Sequence, residues 1–394
     1  MNSRGAIIAG LGTVSAAGGS VEETLVTFAA LRCNAGPVTL FDTPLRNPVF
    51  EVRRPVAAGR SRTVELALLA LREALAQAHL ETFPADLRVG VCLGTTVACQ
   101  LNDFPFYAAF RAGQPVSLDA VDRYLKGNLA QAVAHAAGAR GPAVTIVNAC
   151  SSGTDALGIA LQWIRADQCD VVIAGGADEL NRVPMCGFHA LGVMSPDLCR
   201  PFDRDRQGLN LGEGAGILIL EAPASALRRG TAADLFVAGF GAACDAHHLT
   251  APRPDGAGLE KAVRNALCDA RVAEDAIGFV NAHGTATRDN DLAESGVLAR
   301  VFGHGVRVLS TKGFTGHTLG AAGGMEAVFT AAALREGWIP ASAGFATRDE
   351  ALALAPVRER TAISASYALS TSLAFGGNNA AVVIGRQSDG RPRC

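Results

Sequence analysis

"AGLGTVSAA" at residues 9–17 returns as "AGFGAACDA" at residues 238–246. A single echo could be chance, but two more follow in the same order. "LREALAQAHL" (71–80) and then "RVGVCLGTT" (88–96) return as "VRNALCDARV" (263–272) and then "IGFVNAHGT" (277–285). "EGAGILIL" (213–220) has a looser echo in "GGNNAAVVI" (376–384). Ordered self-similarity of this kind marks a duplicated unit. The expected division is an N-terminal half, 1–233, and a C-terminal half, 234–394. Each half alternates short β-branched runs such as "DVVIAGGA" (170–177) with Ala- and Leu-rich helical stretches, the pattern of a layered α/β fold. Two such halves related by a pseudo-twofold would bury their central helices on all sides and bring both sets of strand ends to one cleft.

Composition narrows the classes of function. The chain has 394 residues, 49% of them hydrophobic, which is enough for a large core. A formal net charge of −2 gives no whole-chain reason to expect nucleic acid or a membrane surface as partner. The start, "MNSRGAIIAGLG", has no basic region ahead of a signal-length apolar core, and no apolar run reaches spanning length, so a cytoplasmic location is expected. Ten scattered cysteines without CxxC pairs read as small core residues rather than a disulfide framework. His247 and His248 lack the accompanying ligand spacing of a metal site.

Cys150 stands apart from the other cysteines. The strand-like "AVTIVNA" (143–149) runs into it, and Leu157, Ala160, Leu161 and Ile164 then recur at helical spacing. A thiol at a strand-to-helix turn sits by the positive end of a helix, which favours thiolate, and Ser151, Ser152 and Gly153 are small enough to leave it accessible. The second half offers partners. His283 follows a strand-like run, and "VLSTKGFTGHTLGAAGGMEA" (308–327) supplies Lys312 and His317 ahead of a Gly- and Ala-rich helix that must pack tightly. In "SLAFGGNNAAVV" (372–383), Gly376 and Gly377 permit a bend that can aim the Phe375 N–H into a cleft, where it and the Cys150 N–H would form a two-donor oxyanion hole. Arg53, Arg54, Arg60, Arg62, Arg123, Lys126, Arg204 and Arg206 could form a basic rim for an acidic partner.

"NACSSG", "NAHGTATRDND", "STKGFTGH" with "GAAGGMEA", "RPFDRDRQGLNLGEGAG" and "AFGGNN" together resemble the beta-ketoacyl-acyl carrier protein synthases, closest to the type II elongating branch, over about residues 5 to 385. The resemblance implies a thiolase-like fold, a duplicated five-layered α-β-α-β-α architecture, and a homodimer or a heterodimer with a related subunit. It implies decarboxylative condensation of malonyl carrier protein with an acyl group held on Cys150. His283 and His317 would support decarboxylation, and Lys312 would order their charge network together with Glu294. The Phe375 ring would gate the two half-reactions. Thr285, Thr287 and Thr250 would bind the phosphopantetheine arm of an acyl carrier protein. No dissociable cofactor or catalytic metal is implied.

The pattern departs from the family at residues 96–128, at Ala374 and at Asn378, and Phe104, Phe106 and Tyr107 are expected near the acyl pocket. Fatty-acid and specialised polyketide or polyene substrates therefore stay open. A non-catalytic chain-length partner subunit would lack the nucleophile. A thiolase acting on coenzyme A esters would carry a second cysteine where "AFGGNN" stands.

Overall fold

The computed structural model describes residues 5–53, 61–96, 104–125, 128–231 and 233–387. Its strands are β1 Ala6–Ser15, β2 Val89–Gly94, β3 Ala143–Ile146, β4 Val171–Asp178, β5 Gly214–Glu221, β6 Leu235–Cys244, β7 Ile277–Asn281, β8 Arg307–Leu309, β9 Trp338–Ile339, β10 Thr361–Ala362, β11 Tyr367–Ala374 and β12 Asn378–Arg386. Except for the β9–β10 ribbon they join one sheet in the order β3-β2-β4-β5-β1-β6-β12-β11-β7-β8.

That order is a palindrome about the β1–β6 contact. Walking outward from β1, the neighbours are antiparallel β5, antiparallel β4, then parallel β2 and β3. Walking outward from β6, they are antiparallel β12, antiparallel β11, then parallel β7 and β8. Only Ala6↔Val237 and Ile7↔Phe236 pair across the join.

The repeated G-x-G has a steric cause. A Cβ on Gly10 would meet the Ala74 carbonyl oxygen at 2.0 Å, and one on Gly12 would meet that of Ala70 at 1.9 Å. Their twins behave alike: Gly239 would strike Ala270 N at 2.4 Å and Gly241 the Ala262 oxygen at 2.2 Å. In each half a helix, Arg62–Ala78 or Ala257–Ala270, lies against the first strand with its backbone almost in contact. These glycines are seats for the two helices.

Helices Ser152–Arg165 and Ala322–Glu336 form the middle layer and touch strands of both halves. Residues Ala322–Leu334 are buried without interruption, so this helix has no polar face, as an element packed on all sides requires. Gly153 and Gly324 let the two helices approach: a Cβ on Gly153 would lie 2.6 Å from Gly324 N. The two five-stranded halves of the sheet therefore lie on either side of these helices, and the layers run helix, half-sheet, helix, half-sheet, helix, the duplicated five-layered α/β arrangement expected. Among the described residues, no helix is long and apolar enough to cross a membrane.

Candidate active site

β3 ends at Ile146, and four residues later Cys150 stands at the start of helix Ser152–Arg165. Ala149 takes a left-handed φ of 50°, strained for a residue with a side chain, which turns the chain sharply enough to present the thiol. Asp155 locks the turn, accepting from Asn148 Nδ2 at 2.6 Å and Ser151 Oγ at 2.8 Å. Ser152 Oγ donates to the Ala149 carbonyl at 2.6 Å. The two serines thus brace the turn as well as leaving room at the sulfur.

His317 Nε2 lies 3.0 Å from Cys150 Sγ, and the Phe375 N–H reaches the same sulfur. Burial pushes the thiol up to about 12, against the opposing influence of the Lys312 charge and the Phe375 N–H. The helix end favours thiolate, but desolvation of the charged form is the larger influence on the buried sulfur, so the resting group is a thiol beside a base.

Burial, and secondarily the Lys312 charge, hold both His283 and His317 well below the ordinary imidazole range, so both are neutral near pH 7. Their rings meet edge to face with centroids 5.2 Å apart. Lys312 Nζ lies 3.1 Å from His283 Nδ1, donates to the His283 carbonyl and pairs with Glu326. Three acceptors around one amine match the three N–H bonds of an ammonium. With Nδ1 accepting from Lys312, the His283 proton belongs on Nε2, which makes that nitrogen a hydrogen-bond donor.

The expected partnership of Lys312 with Glu294 is replaced by one with Glu326. Glu294 is consumed elsewhere: one oxygen accepts from the His283 N–H and Thr371 Oγ1, at 2.8 and 2.7 Å, and the other from the Gly284 N–H at 2.8 Å. It is fully buried beneath the turn that carries His283, away from the cleft wall, and so positions the imidazole instead of binding substrate. The sequence held a signal for Glu326, the one carboxylate in the buried stretch of its helix.

Two cavities meet at the sulfur. The first, about 260 Å³, is lined by Cys150, both histidines, Thr250, Thr285, Thr287 and Asn379. All three threonines expected to bind the pantetheine arm are brought to it, and the Thr285 and Thr287 hydroxyls are 2.9 Å apart. The second, about 480 Å³, is mostly apolar. Cys150, Phe188, Leu191 and Phe375 border both, and the Phe375 ring stacks on Phe188 with centroids 5.1 Å apart. Gly376 and Gly377 have φ of 83° and 77°, giving the β11–β12 connection its bend. No sequence signal singled out Phe188, which lies on helix Arg182–Ala190.

Two members of the expected basic rim, Arg62 and Arg206, are turned onto carboxylates of the fold. Arg62 forks onto Glu213 with two 2.6 Å bonds, Arg206 is buried against Asp349 at 2.6 Å, and Arg204 pairs with Asp205 at 3.1 Å. These three brace the fold or meet adjacent carboxylates; Arg53 is exposed. Arg54, Arg60 and Lys126 and the side chains of Arg123 and Phe104 lie outside the described residues. Phe106 and Tyr107 pack on each other at 5.4 Å and line neither cavity, although Thr96 lines the second. Among the described residues, no group of three His, Cys, Asp or Glu is placed to hold a metal ion.

Known proteins fit this geometry. The family model for the beta-ketoacyl synthase N-terminal domain matches residues 35–226, and that for the C-terminal domain matches 236–346. A 3-oxoacyl-[acyl-carrier-protein] synthase 2 of Staphylococcus aureus is 32% identical, covering 96% of this chain and 100% of its own. The solved ishigamide ketosynthase/chain length factor is 32% identical with a TM-score of 0.92, covering 98% of this chain and 100% of its own. A type II polyketide acyl carrier protein in complex with its ketosynthase is 25% identical with a TM-score of 0.89, covering 98% of this chain and 100% of its own. With the fold, the Cys-His-His cluster and these relatives in agreement, the chain belongs to the beta-ketoacyl synthase family of carbon–carbon bond-forming acyltransferases.

Proposed function

We propose that Cys150 takes an acyl group from the pantetheine thiol of a carrier protein and that the resulting thioester is extended by malonyl carrier protein. The 3.0 Å contact between His317 Nε2 and Cys150 Sγ carries this reading. As the sulfur attacks, its proton passes to His317 and then to the departing pantetheine thiol. The Cys150 and Phe375 N–H groups hold the acyl oxyanion. Malonyl carrier protein then loses CO2, leaving the electron pair on an enolate whose oxygen is held by the His283 and His317 N–H groups. The enolate carbon attacks the acyl thioester, the Cys150–acyl bond breaks, and the departing sulfur takes from His317 Nε2 a proton that His317 drew from water after the first half-reaction.

The remaining assignments belong to the same proposal. Residues 1–233 form the nucleophile half and 234–394 the histidine half. Phe375 gates passage between the cavities, and Thr250, Thr285 and Thr287 hold the pantetheine arm. The partners are an acyl carrier protein and a second ketosynthase-like chain, in the cytoplasm. A ketosynthase in complex with its chain length factor from Xenorhabdus doucetiae, 29% identical, supports a heterodimer as readily as a homodimer. Cys150 with its histidine partner speaks against a non-catalytic subunit.

Incubating the full-length protein with acyl- and malonyl-carrier protein should release CO2 and yield a 3-oxoacyl-carrier protein by mass spectrometry. CO2 release without carbon–carbon bond formation would refute condensation.

A further inference from the structure

His317 comes from the second half, yet the stretch that carries it is anchored to the first. The His317 N–H donates to the Asn210 carbonyl at 2.7 Å, and the Gly212 N–H donates to the His317 carbonyl at 3.1 Å. Three residues on, the Gly320 N–H donates to Asp178 Oδ2 at 2.7 Å. Between these anchors Leu319 takes a left-handed φ of 54°, which costs a residue with a side chain and persists only where the surroundings hold it.

Asp178 is placed to do the holding. It is the last residue of β4, two strands from β3, whose continuation delivers Cys150. The carboxylate is fully buried, and the chain after β2 converges on it. Thr95 Oγ1 donates to Oδ1 at 2.7 Å, while the Thr96 N–H and hydroxyl each donate to Oδ2 at 2.9 Å. Donors on both oxygens fix its orientation, and charge-assisted bonds of this kind are the strong ones. The fit is close: a Cβ on Gly320 would lie 2.6 Å from the Thr95 carbonyl carbon and 2.9 Å from Asp178 Oδ2. Neither Asp178 nor Thr95 lines either cavity at the sulfur.

Resting on the condensing-enzyme reading, we propose that Asp178 is a positioning residue for acyl transfer: by gripping Gly320 it holds His317 Nε2 at the Cys150 sulfur. Thiol and base are thereby referenced to one set of strand ends, those of the first half, although the second half contributes the base. Loss of the grip displaces the imidazole without removing it and leaves the substrate cavities lined as before.

The experiment follows acylation of Cys150 in the full-length protein by octanoyl-pantetheine, with intact-mass spectrometry giving kcat and KM. Asp178→Asn puts an amide NH2 among converging donors, and should lower kcat by about 10²-fold with KM nearly constant, the loss expected when reacting groups are misplaced by about 1 Å. Alkylation of Cys150 by iodoacetamide near pH 8 should be kept or rise. Burial, the main influence that raises the thiol, persists in the variant, and the lesser upward influence of the Asp178 charge is gone. Thr95→Val removes one donor to the carboxylate and should lower kcat by about fivefold, the worth of a single hydrogen bond, whereas Thr95→Ser keeps the hydroxyl and should restore it. A wild-type kcat in Asp178→Asn overturns the inference while leaving the condensing-enzyme reading intact. Parallel loss of transfer and alkylation also overturns it, because the carboxylate would then support the sulfur instead of the base. If Asp178→Asn does not fold, the Thr95 pair decides, and equal kcat in Thr95→Val and Thr95→Ser overturns the inference. Failure of the wild-type protein to acquire the acyl group overturns both readings.

Discussion

The two halves share a strand order, yet their equivalent strand ends carry different chemistry. β3 and β8 occupy mirrored places; the chain after β3 delivers Cys150, and the chain after β8 delivers Lys312 and then His317. β2 and β7 are mirrored too. After β2 stand Thr95 and Thr96, whose hydroxyls are spent on Asp178; after β7 stands His283, held through its backbone by Glu294 and through its ring by Lys312. Duplication provided two sets of strand ends facing one cleft. Divergence made one half the source of the nucleophile and the other the source of neutral imidazoles fixed by a buried charge. A thiol raised by burial is a poor nucleophile until a base meets it, so neither half is competent alone.

The sharpest break of this comparison is removal of the first half's one nucleophile. Cys150→Ala should lower acyl transfer by more than about 10⁴-fold with the fold retained, since a small buried side chain replaces another. Intact-mass spectrometry reads it, and an acyl adduct persisting in the variant would sink the assignment. Dissecting the second half comes next. His283→Ala should cut malonyl decarboxylation by about 10²- to 10⁴-fold and spare the first acylation, because the imidazole hydrogen-bonded to the sulfur is that of His317, while His283 Nδ1 bonds Lys312. His317→Ala should damage both steps, because its Nε2 touches Sγ. Equal acylation rates in the two variants, with CO2 release followed in parallel, would erase the distinction between the histidines.

A pH titration probes the contrast without mutation. A thiol held near 12 is protonated throughout the neutral range, and its thiolate fraction grows about tenfold for each pH unit below that value. Alkylation of Cys150 by iodoacetamide should therefore rise about 100-fold from pH 7 to 9 without levelling. A plateau in that window would mean that a thiolate already exists at rest, as the helix end alone would suggest. Peptide mapping separates this reaction from that of exposed Cys186, Cys244 and Cys268.

How much of this was legible in the sequence follows from what kind of force fixed each feature. The repeat was readable because helix seating demands glycine at fixed places, and Gly10, Gly12, Gly239 and Gly241 carry that demand on the surface of the text. Cys150, His283 and His317 were readable because each follows a strand-like run or precedes a helix beside small residues. The partner of Lys312 was not, since two buried carboxylates, Glu294 and Glu326, lie near it and only three-dimensional packing decides which one meets the amine. Two members of the expected basic rim drop out for a related reason: a sequence shows that Arg62 and Arg206 are charged but hides the Glu213 and Asp349 that pair with them. Desolvation of the thiol was equally invisible, because burial is a property of the assembled layers.

The smallest expected effect falls on the cleft that both halves help to line. Thr285 and Thr287 follow His283 on the second half's strand end, and their hydroxyls already bond each other, so losing one leaves its neighbour able to serve a pantetheine amide. Thr287→Val should raise KM for the carrier-bound substrate by about fivefold, the loss of a single hydrogen bond, with kcat nearly constant. Thr285 Oγ1 also accepts from the Thr287 backbone N–H, and Thr285→Val should cost more because it frees that N–H as well. The double variant should then cost less than the product of the singles, since one unpaired hydroxyl cannot be lost twice. Strict multiplicativity in steady-state KM would show that the two hydroxyls act independently, and that the second half grips the arm through separate contacts instead of one coupled pair.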